Sequence, residues 1–138
     1  MQELPLSKNG KTVRDVIKEA VRLAGDILLA KFNDEKKVKA KGPKDIVTDV
    51  DIEVEGIIFE HLRNNYPEMA MIGEESFKGK MPGGFVWIVD PIDGTRNYAA
   101  GIPIFSVVVA LSYNGEVVAG ANFDPKKNEL FEAEKGKG

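Results

Sequence analysis

A chain of 138 residues can bury roughly two thirds of its unfolded surface, enough for one ordinary domain with a real core. With no cysteine and a single histidine, His61, it has no disulfides, iron-sulfur clusters or thiolate zinc sites and too few imidazoles for a histidine-based metal site, so any metal must be held by oxygen. The 22 acidic and 19 basic residues leave a net charge of -3, which offers no broad attraction to nucleic acid or an anionic membrane and points to a small-molecule partner.

The N-terminal MQELPLSKNGK lacks the apolar core of a signal peptide, and no run approaches the roughly 20 apolar residues of a membrane span, so a soluble, cytoplasmic protein is expected. Thr12 followed by Asp15 resembles a capping box, and Val13, Val16, Ile17, Ala20, Ala24, Ile27 and Leu28 recur at helical spacing up to about Phe32. The segment KKVKAKGPKD places Lys36, Lys37, Lys39, Lys41 and Lys44 around Gly42-Pro43 and predicts a short extended excursion with an exposed, mobile basic tip. Thr48 and Asp51 form a second capping signature, opening a helix with apolar face Val50, Val54, Ile57, Ile58 and Leu62 that ends before Pro67.

The period then changes to short β-like runs: Met69 to Ile72, Phe85 to Val89, Phe105 to Ser112, Glu116 to Phe123 and Glu129 to Ala133. Asn114-Gly115 suits a two-residue hairpin turn and Asp124-Pro125 starts another reversal, so the last three strands are expected to form an antiparallel meander. The expected fold class is α+β, with two helices packed on a largely antiparallel sheet.

Three acidic motifs stand out. In DPIDGT, Asp90 follows the apolar run Phe85 to Val89; the segment reads as a good reverse turn, or as a site where Asp90 and Asp93 converge on a cation with the Ile92 carbonyl between them. Gly94 and Thr95 would open a short helix through Tyr98 whose free N–H groups suit phosphate. In IGEES, Glu74 ends a strand as Asp90 does, and alternation lets one of Glu74 and Glu75 reach the metal while the other turns away toward its surroundings. In VTDVD, Asp51 is an ordinary acidic first-turn residue or a third member of the site. A calcium loop starting at DVDIE fails, because Val54 stands where the sharp turn needs glycine.

In order, Asp51, GEES from Gly73 to Ser76, and WIVDPIDGTRNY from Trp87 to Tyr98 resemble the signature of the inositol monophosphatase family, magnesium-dependent, lithium-sensitive members of the sugar-phosphatase superfamily that includes fructose-1,6-bisphosphatase-type relatives. GIPIFSVVVAL and ELFEAEKGKG extend the likeness over nearly the whole chain. The resemblance implies that Glu74, Asp90 and the Ile92 carbonyl bind a first magnesium, that Asp90 and Asp93 contribute to a second, and that manganese can substitute. It further implies that Asp93, Gly94 and Thr95 hold the substrate, that Thr95 and Asp51 orient the attacking water, that Glu74 helps to activate it, and that Glu75 lies just outside the ligands. The implied activity is hydrolysis of inositol monophosphate or a related sugar phosphate, and the implied assembly is a homodimer.

Family members run to about twice this length, and the further half carries a WDxAAG-like segment whose aspartate completes the second metal site. Residues 1–138 are therefore expected to be one N-terminal metal- and phosphate-binding domain, half of the family's αβαβα sandwich, ending directly after a strand as an interrupted sequence does. Weak or no turnover is expected of this piece. The competing expectation is a non-catalytic metal-binding fragment or half of a split protein.

Overall fold

The computed structural model describes residues 3–42, 45–74, 79 and 81–138. Helix α1 spans Val13–Lys31, opened by the Thr12 hydroxyl, which accepts the Asp15 amide proton at 3.1 Å. Helix α2 spans Asp49–Asn65 and has a complete capping box: the Thr48 hydroxyl accepts from the Asp51 amide, and the Asp51 carboxylate accepts from the Thr48 amide. Both helices bury the predicted stripes, except that Ile27 and Ile57 are only half-buried at their margins. Val21 and Glu55 join the buried faces.

Between the helices, the basic segment forms a hairpin of β1, Val38–Gly42, and β2, Asp45–Thr48, paired antiparallel. All of β1 is exposed, as its lysines require. Pro43 and Lys44, the expected tip, lie outside the described residues.

The main sheet has five strands in the order β3-β4-β5-β6-β7: Ala70–Gly73, Phe85–Asp93, Ser106–Tyr113, Glu116–Asp124 and Glu129–Glu134. Strand β3 runs parallel to β4, and every later pair is antiparallel, giving the expected meander. Asn114 and Gly115 have φ of 50° and 86°, the doubly positive pair that a tight hairpin turn demands.

One expectation changes. The strand predicted to stop at Val89 continues through Asp93, and DPID is a bulge within it: Asp90 pairs with Val108 and Asp93 with Ser106, leaving one extra residue on β4. Pro91 cannot donate to the ladder, so it is tolerated where the pairing is interrupted.

The core lies between the helices and one face of the sheet, with Trp87 and Val89 from β4, Val107, Val109 and Leu111 from β5, and Ala119, Ala121 and Phe123 from β6. Each large apolar side chain buried there contributes about 1.5–3 kcal/mol. The short helix α3, Thr95–Ala99, is fixed by an aromatic trio in which the Tyr98 ring meets Phe105 edge-on at 4.8 Å and Phe32 at 5.8 Å. The Tyr98 hydroxyl also donates to the Leu28 carbonyl at 2.8 Å. On the other face of the sheet, Phe131 is 64% exposed. Among the described residues no helix is long and apolar enough to cross a membrane.

Helix α1 meets β6 closely because Gly25 leaves space for Phe123; a methyl at Gly25 would sit 2.5 Å from the Phe123 ring and 3.2 Å from Pro125 Cβ. Both partners are held in packed structure, so relief requires the helix to shift. We expect Gly25→Ala to lower stability by about 1–3 kcal/mol in urea unfolding, even though alanine is the better helix former.

Candidate active site

The site begins with Asp51, whose side chain is fully buried at the start of α2. Its Oδ2 accepts from the Thr48 amide at 2.8 Å and the Thr48 hydroxyl at 2.5 Å, while Oδ1 lies 3.0 Å from the Thr95 hydroxyl. These bonds compensate a burial that would otherwise be costly for a carboxylate. Thr95 Oγ1 also lies 3.1 Å from the Ile92 carbonyl, so one hydroxyl proton faces two acceptors. Asp51 on the helix and Ile92 on β4 therefore meet at the first residue of α3.

Gly94 precedes that residue with φ of +96°, and a side chain there would also approach the Ile104 carbonyl at 3.0 Å. Glycine is required on both counts. Beside it opens a cleft of about 340 Å3 lined by Asp93, Gly94, Asn97, Ser106, Asn122 and Asp124. That space matches the lower end of small-molecule sites. A cavity of about 420 Å3 between Phe85, Tyr113 and Lys135 lies at the other end of the sheet, and its lysines are already paired with Glu116 and Glu134.

The remaining carboxylates gather where β3 ends beside the bulge of β4. The Glu74 amide donates to the Val89 carbonyl at 3.1 Å, continuing the register in which Gly73 stands opposite Val89, so Glu74 comes alongside Asp90. Asp90 Oδ1 is buried and accepts no hydrogen bond. Burial first, then a hydrogen bond with Glu74 and the charges of Glu74, Asp93 and Asp51, push the Asp90 carboxyl up to about 8. Burial and crowding by like charges leave this carboxyl in deficit of positive charge.

The fold thus brings Asp51, Glu74, Asp90, Ile92, Asp93, Gly94 and Thr95 into one region; Glu75 lies outside the described residues. Among the described residues, no three His, Cys, Asp or Glu side chains stand together as a ready metal cage. The groups acting on Asp90 are the carboxylates of Glu74, Asp93 and Asp51, all oxygen, and the orphaned Asp90 oxygen fits a hard cation.

A model of the inositol monophosphatase family matches residues 9–138. This chain belongs to the inositol monophosphatase family. An inositol monophosphatase of Dictyostelium discoideum is 38% identical along the whole of this chain and 51% of its own length. The crystal structure of the extragenic suppressor protein suhB from Bartonella henselae matches at 38% identity with a TM-score of 0.86, covering 91% of this chain and 50% of its own. The Thermotoga maritima IMPase TM1415 matches at 36% identity with a TM-score of 0.84, covering 91% of this chain and 49% of its own. The chain therefore spans about half the length of the relatives it matches, and the α+β arrangement of helices on a largely antiparallel sheet is that of the matched half.

Two residues of this region escaped the sequence reading. Lys41, one of a run that reads as solvated charge, places its ammonium 3.3 Å from Glu74 and 3.5 Å from Asp45. Its sequence signals were the density of lysines and the resemblance of the Lys36 to Lys44 loop to one that folds over the site in the family. Glu55, one turn beyond Asp51, is 7% exposed, which a carboxylate flanked by Val54 and Ile58 on a helical stripe could have signalled.

The direction of the Asp90 shift fixes a pH dependence. Its folded pKa lies above the ordinary 3.8, so the folded state holds the extra proton and the associated stability is full below about pH 4 and lost as pH rises through about 8. The melting temperature of the metal-free protein is expected to fall over that window, and Asp90→Asn to flatten the fall; scanning calorimetry across pH checks both.

Proposed function

We propose that this chain is the metal- and phosphate-binding half of a magnesium-dependent phosphomonoesterase acting on inositol monophosphate or a related sugar phosphate. The observation that carries the reading is Asp90, whose buried oxygen lacks a partner while three further carboxylates press on it. Four carboxylates repel a phosphate monoester, so the site can accept its substrate only with cations present.

Glu74, Asp90 and the Ile92 carbonyl would hold the first ion, and Asp90 with Asp93 would contribute to a second. Magnesium or manganese bound there supplies Lewis-acid charge that lowers the pKa of a bound water and neutralises phosphoryl and leaving oxygens. The chain's own groups do the rest. Gly94 keeps the backbone clear where phosphate approaches, and Thr95 offers its amide at the start of α3. Thr95 Oγ1, pinned between Asp51 and Ile92, orients the attacking water. Glu74 takes up its proton. Asp93, exposed at the cleft, meets the hydroxyls of the alcohol part of the substrate. Water attacks phosphorus directly as the ester P–O bond breaks, the departing alkoxide takes a proton from solvent, and no covalent phosphoenzyme is required.

The test is calorimetric titration of the 138-residue chain with Mg2+ and Mn2+ alongside a phosphate-release assay on inositol 1-phosphate. We expect divalent binding in the wild type, its loss in Asp90→Asn, and weak or no turnover. Unchanged binding in Asp90→Asn overturns the ligand assignment. Turnover near about 10 per second, a typical enzymatic rate, overturns the expectation of weak activity; metal binding with no turnover in any longer form containing this chain would favour a non-catalytic metal-binding protein.

A further inference from the structure

Helix α2 sends two buried carboxylates to the site region, and the proposed chemistry uses one. Asp51 reaches Thr95; Glu55, on the same face one turn later, reaches β3. Its carboxyl group occupies the place where Gly73 would carry a side chain, so that a methyl added to Gly73 would overlap the carboxyl group and lie 2.9 Å from Oε1. Gly73 has no need of glycine's conformational range, since its φ is not positive. Glycine is needed there because Glu55 fills the space.

Gly73 is the last residue of β3, and Glu74 follows directly. Gly73 pairs with Val89, and the Glu74 amide bonds to the Val89 carbonyl, so the depth at which β3 sits against α2 sets where Glu74 stands relative to Asp90. We infer that Glu55 is a positioning residue: its carboxyl group, seated against the Gly73 Cα, fixes the end of β3 so that Glu74 meets Asp90. This inference rests on the metal-site reading above. The two carboxylates of α2 then hold the two ligand-bearing ends of the sheet, Asp51 through Thr95 and Ile92, Glu55 through Gly73.

The contact with Gly73 is a matter of reach. Glutamine has the same outline as glutamate, whereas aspartate is one methylene too short to reach Gly73. The experiment measures Mn2+ affinity of the 138-residue chain by electron paramagnetic resonance for wild type, Glu55→Gln, Glu55→Asp and Gly73→Ala, with circular dichroism confirming the fold of each. Glu55→Gln is expected to bind like wild type, and Glu55→Asp and Gly73→Ala to bind about tenfold more weakly, the scale on which groups supporting a metal ligand act. Lowered melting temperatures with unchanged Mn2+ affinity, or a Gln variant no better than Asp, overturn the inference.

Crystal structures of metal-free wild type and Glu55→Asp give a readout that needs no metal. Displacement of Glu74 from Asp90 by about 1 Å, enough to impair a site of this kind, is expected, and an unmoved Glu74 overturns the inference. A wild type that binds no Mn2+ overturns the metal reading alone, since the two metal-free structures still decide what Glu55 does.

Discussion

The fully buried carboxylate of Asp51 is the constraint on which the rest of the arrangement depends. Such a group needs hydrogen-bond donors, and it takes them from three places: the Thr48 backbone, the Thr48 side chain and the Thr95 hydroxyl. The first two close the cap of α2 onto the end of β2. The third ties the helix to α3, and Thr95 in turn reaches back to the end of β4. One side chain therefore joins the basic hairpin, the second helix, strand β4 and the short helix. The aromatic trio of Phe32, Tyr98 and Phe105 supports the same junction from below, where its rings pack without adding any charge.

Around this junction the molecule concentrates like charges that folding alone would disperse. Asp90, with its Oδ1 buried, stands where the bulge of β4 begins, with Glu74 beside it and Asp93 beyond the bulge. Lys41 offsets a part of that charge through Glu74, from a hairpin whose outer strand is wholly exposed. Strain of this kind is spent on function elsewhere in proteins, where carboxylates crowded into low dielectric mark a site. The apolar core beneath, from Trp87 to Phe123, supplies the stability that lets the crowding persist.

Much of this was legible in the residues. Both helices announce themselves by threonine caps and a 3.6-residue stripe, and the meander by Asn114-Gly115 and strand-length apolar runs. Asp51, Glu74, Asp90 and Asp93 were visible as candidates because an ordered set of acidic motifs at strand ends and a helix start is rarer than any one of them. The close of β4 was misread because proline and glycine in DPIDG are good turn formers, and only pairing with Val108 and Ser106 reveals a bulge. Glu55 and Lys41 were missed for a different reason. Their local sequence is ordinary for a helix and for a charged hairpin, and what gives them meaning is a long-range approach, to Gly73 and to Glu74, that no local pattern encodes.

The bulge in β4 has a geometric consequence for the acidic pair. In a regular strand successive side chains alternate, so residues separated by three positions point to opposite faces of the sheet. Asp90 and Asp93 have that separation, and an unbroken ladder would have set them back to back across the sheet. The extra residue beside Pro91 cancels one alternation, and the charge of Asp93 reaches Asp90. The two intervening residues thus act as a parity switch, and the joint availability of the two carboxylates is a property of strand register.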